Sequence, residues 1–397
     1  MAANALIYGA LRTPRGRVRR EGGALAGVPA HELFGGLLSE YSRLGVSAAE
    51  VDDVIVGVST PFGEQAGDVA RVALSAAGWP ETVSAGTVSR MCCSGLDAIA
   101  SGAAQVASGG SELIVAGGVE SMSRTPMFGD KPAFALDSEL GELTGFVTIG
   151  VAADLTAARF GFTRSELDDY AVRSHEQSAA APTWRSIVPV RVSGKVLLER
   201  DEGARPGTRA ESLAELPTLF DDDPLWERAA RRFADDGFVR PVGGLHTVAT
   251  APQLADAASA VLLGSVAAGK TLGIEPRGRV VSWAHAAVRS PGLWAGEAAA
   301  RKALARAGIG VADVAVAEIN ESFAVTPLLL ARQLELDAGM VNAHGGAVSV
   351  GHPLGASGGI LLANALERLE ELGGGYGVLV IPAALGLATA VVVEAFG

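Results

Sequence analysis

The chain is poor in cysteine, in charge and in basic residues. Only Cys92 and Cys93 occur among its 397 residues. Two adjacent thiols cannot build a disulfide framework or a four-thiolate metal site, so no metal is expected. Charged residues make up 19% of the chain against 49% apolar ones. That balance fills a large core and excludes global disorder. Lys and Arg number 32 against 44 Asp and Glu, a net charge of −12. Such acidity argues against nucleic acid or an anionic membrane surface as the partner. The start, Met1-Ala2-Ala3-Asn4-Ala5, shows no basic stretch ahead of an apolar core. A secretory signal is therefore not expected, and the cytoplasm is the expected compartment.

Residues 376–393 run without a charge, long enough to suggest a membrane span. Pro382 and Gly386 interrupt that run, and β-branched clusters flank them. The segment therefore reads as two buried strands around a turn. Glycine, by contrast, is plentiful: 51 residues, about 13% of the chain where about 7% is usual. It shows no period of three, so it must serve tight turns and close backbone packing. The length allows two or three domains, or one large duplicated α/β unit.

Strand and helix patterns alternate at both ends. Strands are expected at 5–9, 53–58 and 113–118, with helices at 31–44, 68–77 and from Cys92 to about 109. Later come strands near 260–263, 279–281, 314–319, 378–381 and 389–393, and helices at 296–307, 322–334 and 357–372. This alternation indicates parallel βαβ units. Between about 121 and 246 the texture becomes loop-rich, with helices expected only at 165–181, capped by Thr163, and at 224–233. The two regular parts echo each other: Val51-Asp52-Asp53-Val54-Ile55-Val56 resembles Val311-Ala312-Asp313-Val314-Ala315-Val316, an offset of 260 (313 − 53). The same offset takes Cys92 to His352, and each stands just before a helix of small residues. Duplication would bring a thiol and an imidazole together near a pseudo-twofold axis.

Cys92, in Ser89-Arg90-Met91-Cys92-Cys93-Ser94-Gly95, is expected at a helix N-terminus. Unpaired N–H groups and the macrodipole there would lower its pKa from about 8.5 toward roughly 4–7. A buried structural cysteine is the plainer alternative. His352, in Gly351-His352-Pro353, can take a thiol proton, or be a satisfied loop histidine. His344 lies close by in a glycine-rich run. In Asn320-Glu321-Ser322-Phe323-Ala324, Asn320 could orient His352 or hold a water, and Glu321 could cap the following helix.

Taken together, Cys92-Cys93-Ser94-Gly95, Gly117-Gly118-Val119-Glu120-Ser121-Met122, Asn320-Glu321-Ser322-Phe323-Ala324 and Gly351-His352-Pro353 resemble the ordered motifs of the thiolase family. Arg12-Thr13-Pro14 and Gly345-Gly346-Ala347 also fit, so the resemblance spans nearly the whole chain. It implies a duplicated αβαβα five-layer sandwich with an inserted loop domain. The expected division is 1–121, continued by about 249–275, for the first half; 122–248 for the loop domain; and 276–397 for the second half. It also implies acyl transfer between coenzyme A thioesters, with no permanently bound cofactor, in a homodimer or homotetramer. By the same resemblance Cys92 is the nucleophile and His352 its activator. A water held by Asn320, with His352, forms one oxyanion hole. The N–H of Cys92 and one from the C-terminal loop around Gly386 form another. Ile149 and Phe323 fall in the acyl pocket, and Arg228, Arg231, Arg232 and Trp226 are candidates for coenzyme A contact.

The chain departs from that pattern at Pro382, which stands where the family carries a second, proton-moving cysteine. Proline moves no proton, and general acid–base help is worth about 10²–10⁴-fold. Condensation and thiolysis are therefore expected to be slow, unless His352 or His344 takes over. Two alternatives stay open on this ground: a hydrolase or other acyltransferase using the same cysteine, and a non-catalytic acyl-CoA-binding protein. A second departure, Thr250-Ala251-Pro252-Gln253, leaves the coenzyme A contacts of its loop unassigned.

Overall fold

Runs of valine, isoleucine and leucine set between small-residue helices produce an α/β chain whose sheet is buried on both faces. The computed structural model describes residues 5–238, 240 and 243–397. Its strands are β1 (Ala5–Arg12), β2 (Gly16–Arg17), β3 (Asp53–Gly57), β4 (Ser84–Val88), β5 (Leu113–Ser121), β6 (Val190–Val192), β7 (Lys195–Leu198), β8 (Ala255–Gly264), β9 (Gly278–Ala287), β10 (Val314–Ile319), β11 (Gly375–Ala383) and β12 (Leu387–Ala395). Ten of them share one hydrogen-bonded path in the order β10-β11-β12-β9-β1-β8-β5-β3-β4, with β2 on β8. The first group, β1, β8, β5, β3 and β4, belongs to one half. The second, β9, β12, β11 and β10, belongs to the other. Only the end of β1 joins them, through Ala5↔Val280 and its two neighbours. In each group the outer strands pair in parallel, β4-β3-β5 in one and β10-β11 in the other, while the rest are antiparallel.

Three apolar clusters sort the layers. The helix Ala30–Arg43 covers the outer face of the first group with Leu33, Phe34, Leu37 and Leu38. The helix Gly296–Ala307 covers the outer face of the second with Ala299, Ala300 and Ala303. Between the groups lie the helices Ser94–Ser108 and Ser357–Glu371, sharing one core through Leu96, Ile99, Leu362 and Leu366. This is a five-layer arrangement. The two central helices meet backbone to backbone at their starts. A Cβ on Gly95 would stand 2.5 Å from the Gly355 carbonyl oxygen, and one on Gly358 would stand 2.2 Å from the Leu96 nitrogen. Only glycine permits that approach.

The internal repeat needs a correction of register. The central helices are offset by 263 residues (357 − 94) and β5 and β11 by 262 (375 − 113), not 260. Relative to its helix, the place of Cys92 is taken by Gly355. His352 lies three residues earlier, before the short turn Leu354–Ala356.

Three local expectations also shift. The Cys92 helix begins at Ser94, with Cys93 as its cap residue. The helix after Asn320 begins at Val325 rather than Ser322, because side-chain bonds hold Asn320 and Ser322 in a turn. β4, Ser-Ala-Gly-Thr-Val, has no apolar run and is an edge strand that composition gave no reason to expect. The inserted region is more regular than its texture suggested. Arg164–Ala180 carries the expected Thr163 cap in a full capping box. Ile149–Arg159, not anticipated as a helix, is buried along most of its length. Residues Ser138–Arg159 have the length and composition of a membrane span, but 67% of the apolar window is buried inside the fold. The stretch breaks at Gly145, where φ is 66°.

Candidate active site

The closeness of the helix starts puts Cys92 and His352 on the wall of one cavity of about 180 Å³. Cys92 is half-buried and Cys93 fully buried. The turn that presents Cys92 is held by Ser94, whose Oγ accepts the Arg90 N–H at 2.9 Å and donates to the Met91 carbonyl at 2.6 Å. Met91 is left-handed, with φ 49°. Across the cavity, Leu385 in the turn Ala384–Gly386 is left-handed too, with φ 62°. Non-glycine residues in this region carry strain of order 1–3 kcal/mol, and such strain collects at functional sites. The N–H groups of Cys92 and Ala384 both face the sulfur.

The expected acidic thiol is not what the structure builds. Burial pushes the Cys92 thiol well above its usual range, with Cys93 and Glu120 adding to the rise. The sulfur lies before the helix cap, inside apolar walls, where losing water outweighs the macrodipole. Cys93 is pushed up to about 12, again by burial first. Its Sγ donates to the Ile381 carbonyl at 3.2 Å, a structural role.

His352 is 5% exposed and held at both nitrogens. Nδ1 lies 2.7 Å from Ser357 Oγ, and Asn320 Nδ2 approaches Nε2 at 3.3 Å. The amide presents hydrogens to Nε2, which assigns the ring proton to Nδ1 and leaves Nε2 with its lone pair. The His352 N–H also donates to the Gln253 carbonyl at 2.8 Å. Burial, with the charge of Arg15, lowers the imidazole pKa to about 3. Thiol and imidazole are therefore both neutral at rest. Asn320 Nδ2 also donates to Ser322 Oγ at 2.7 Å, and Ser322 Oγ donates to the Pro382 carbonyl at 2.8 Å. Pro382 contributes that carbonyl and no proton.

Ile149 and Phe323 line the cavity, as does Ser322. Seven other candidates stand elsewhere or act otherwise. Glu321 does not cap the helix that follows it. It is buried in the loop-domain contact, accepting from Tyr170 Oη at 2.8 Å, Ser174 Oγ at 2.9 Å and the Val348 N–H at 2.7 Å. Burial raises its pKa. His344 packs edge-on against Trp184 at 4.7 Å, in a separate surface cleft. Gly386 faces Val288, where a Cβ would meet the carbonyl oxygen at 2.4 Å, so the loop N–H at the sulfur is that of Ala384. Trp226 is 1% exposed and donates to the Phe220 carbonyl at 2.9 Å, which leaves no face for a ligand ring. Arg228 and Arg231 both pair with Glu142, at 3.0 and 2.8 Å, and Arg232 donates to the Ser290 carbonyl at 2.8 Å. None of the three lines the cavity.

Sequence reading missed the opposite wall, Phe128, Phe134 and Phe146, whose ring centroids lie 5.0–6.5 Å apart. Phe134 sits in the single-turn helix Ala133–Leu136 and the other two in irregular chain, too short a pattern to show a periodicity. The available signal was three phenylalanines within a polar stretch. Ser357 was also missed as the partner of His352. Among the described residues, no group of three or more His, Cys, Asp or Glu is placed to hold a metal ion.

Comparison with known proteins agrees with this geometry. Residues 5–224 match the thiolase N-terminal domain and residues 274–395 the thiolase C-terminal domain. The β-ketoadipyl-CoA thiolase of Pseudomonas putida is 35% identical over 98% of each chain. The acetyl-CoA acetyltransferase of Shinella zoogloeoides is 33% identical over 99% of this chain and 100% of its own. The crystal structure of the Bacillus anthracis acetyl-CoA acetyltransferase superposes with a TM-score of 0.84 at 30% identity, covering 100% of this chain and 99% of that one. With two matched domains, full-length relatives and a thiol and an imidazole lining one cavity, the chain belongs to the thiolase family of acyl-CoA acyltransferases.

Proposed function

We propose that the protein transfers acyl groups between coenzyme A thioesters through an acyl-Cys92 intermediate. The observation that carries this is the pairing of Cys92 and His352 in one cavity, with two backbone N–H groups facing the sulfur. As Sγ attacks the thioester carbonyl, its proton moves to His352 Nε2. The carbonyl oxygen gains charge against the N–H groups of Cys92 and Ala384. The carbon–sulfur bond to coenzyme A breaks, and the proton passes from His352 to the departing thiolate. Ser357 and Asn320 hold the ring for both transfers. Edge strand β4 has an unpaired side, which supports a homodimer or homotetramer through that edge.

Incubation with acetyl-CoA followed by intact-mass measurement tests the reading. One acetyl group on Cys92, lost in Cys92→Ala, is expected; an unmodified wild type rejects it. A second reading, hydrolysis of acyl-Cys92, is favoured by Pro382 alone. Free coenzyme A released without any second thioester would support it. Pro382→Cys is expected to raise thiolysis of 3-ketoacyl-CoA at least tenfold, because it restores a proton-carrying group.

A further inference from the structure

The walls of the cavity say which acyl groups it accepts. Phe128, Phe134 and Phe146 pack together in its wall, and Ile149 and Phe323 line it as well. Among the described residues, the one carboxylate in the lining is Asp130, and no lysine or arginine lines it. Lys131 is exposed and outside the lining. The cation bonded to the backbone of the phenylalanine wall is already committed: Arg228 donates to the Phe146 carbonyl at 2.7 Å and pairs with Glu142 at 3.0 Å. His352 is neutral. A negative charge carried into this space would lose its water, find no cation, and face the Asp130 carboxylate at the mouth.

We propose that the cavity selects uncharged, apolar acyl groups and rejects acyl chains that end in a carboxylate. The proposal rests on the acyl-transfer reading and names its substrate class. It sets this chain apart from relatives named for the adipyl group, at the level of the pocket wall rather than the chemistry.

Hexanoyl-CoA and adipyl-CoA, equal in carbon number and different in the terminal carboxylate, give the comparison. Acylation of Cys92, followed by intact mass, is expected to be about 100-fold faster with hexanoyl-CoA, as an unpaired buried charge requires. Phe134→Arg is expected to bring the ratio down at least tenfold by adding a cation to the wall. Equal labelling by the two thioesters, or faster labelling by adipyl-CoA, overturns the proposal. If neither thioester labels Cys92, the acyl-transfer reading fails instead. Calorimetry on Cys92→Ala then decides selectivity by itself: tighter binding of hexanoyl-CoA upholds it, and equal or weaker binding overturns it.

Discussion

The two central helices begin on equivalent scaffolds and do different work. Both open on a serine, Ser94 and Ser357, 263 residues apart. In the first half, Ser94 holds the backbone turn that presents the thiol. In the second, Ser357 holds a ring, the imidazole of His352. Three extra residues between His352 and its helix make that possible. They set the imidazole a short turn back from the helix, on the wall of the cavity that Cys92 also lines. Duplication thus supplied two matching helix starts, and a small change of loop length made them complementary.

The comparison can be broken most sharply at the base. His352→Ala should slow acylation of Cys92 by about 10²–10⁴-fold while leaving the fold intact, as loss of general base catalysis requires. A rate within threefold of wild type would deny His352 its role. Next comes the crossing itself. Gly358→Ala places a Cβ against the Leu96 nitrogen and should cost about 3 kcal/mol or more, read by urea denaturation. An unchanged midpoint would show that the helices do not need that contact.

The two serines should then separate by readout. Ser357→Ala should lower the acylation rate about tenfold and change its pH profile, with Ser357→Thr restoring much of it. Ser94→Ala should cost about 1–2 kcal/mol of stability by leaving the Arg90 N–H without a partner. Matching effects from both would erase the distinction between the halves.

The two halves also separate in pH. The His352 pKa of about 3 lies below its unfolded value, so the unfolded chain takes up the proton first. Stability should be full above pH 6.5 and fall as pH drops from there toward 3, and His352→Gln should flatten that limb. His175, lowered to about 4 by burial, adds to the same limb. The first half acts on the other side. Cys92 and Cys93 are raised, so their contribution is full below about pH 9 and is lost as pH rises toward 12. Cys92→Ser should flatten the alkaline limb. Each group contributes at most about 1.4 kcal/mol per pH unit.

Much of the site was legible because its parts are short contiguous motifs. Cys92, Asn320, Phe323 and His352 could each be read from neighbours that fix a turn or a helix start. Ala384 could not, because a backbone N–H leaves no mark on side-chain pattern, and Gly386 beside it looked the better candidate. Trp226 and the arginines Arg228, Arg231 and Arg232 looked like a ligand face because a sequence does not show which cations are already paired. The wall of Phe128, Phe134 and Phe146 lay hidden in a single helical turn and the loops beside it.

The sequence alone determined the layers and the chemistry available. Periodicity decides which face of each helix or strand is apolar, and a residue's functional group travels with its name. The tertiary structure decided how that chemistry is tuned. A thiol read as acidic from its place at a helix start became a weak acid, because acidity depends on the water removed around the sulfur, and that water is excluded by residues distant in the chain.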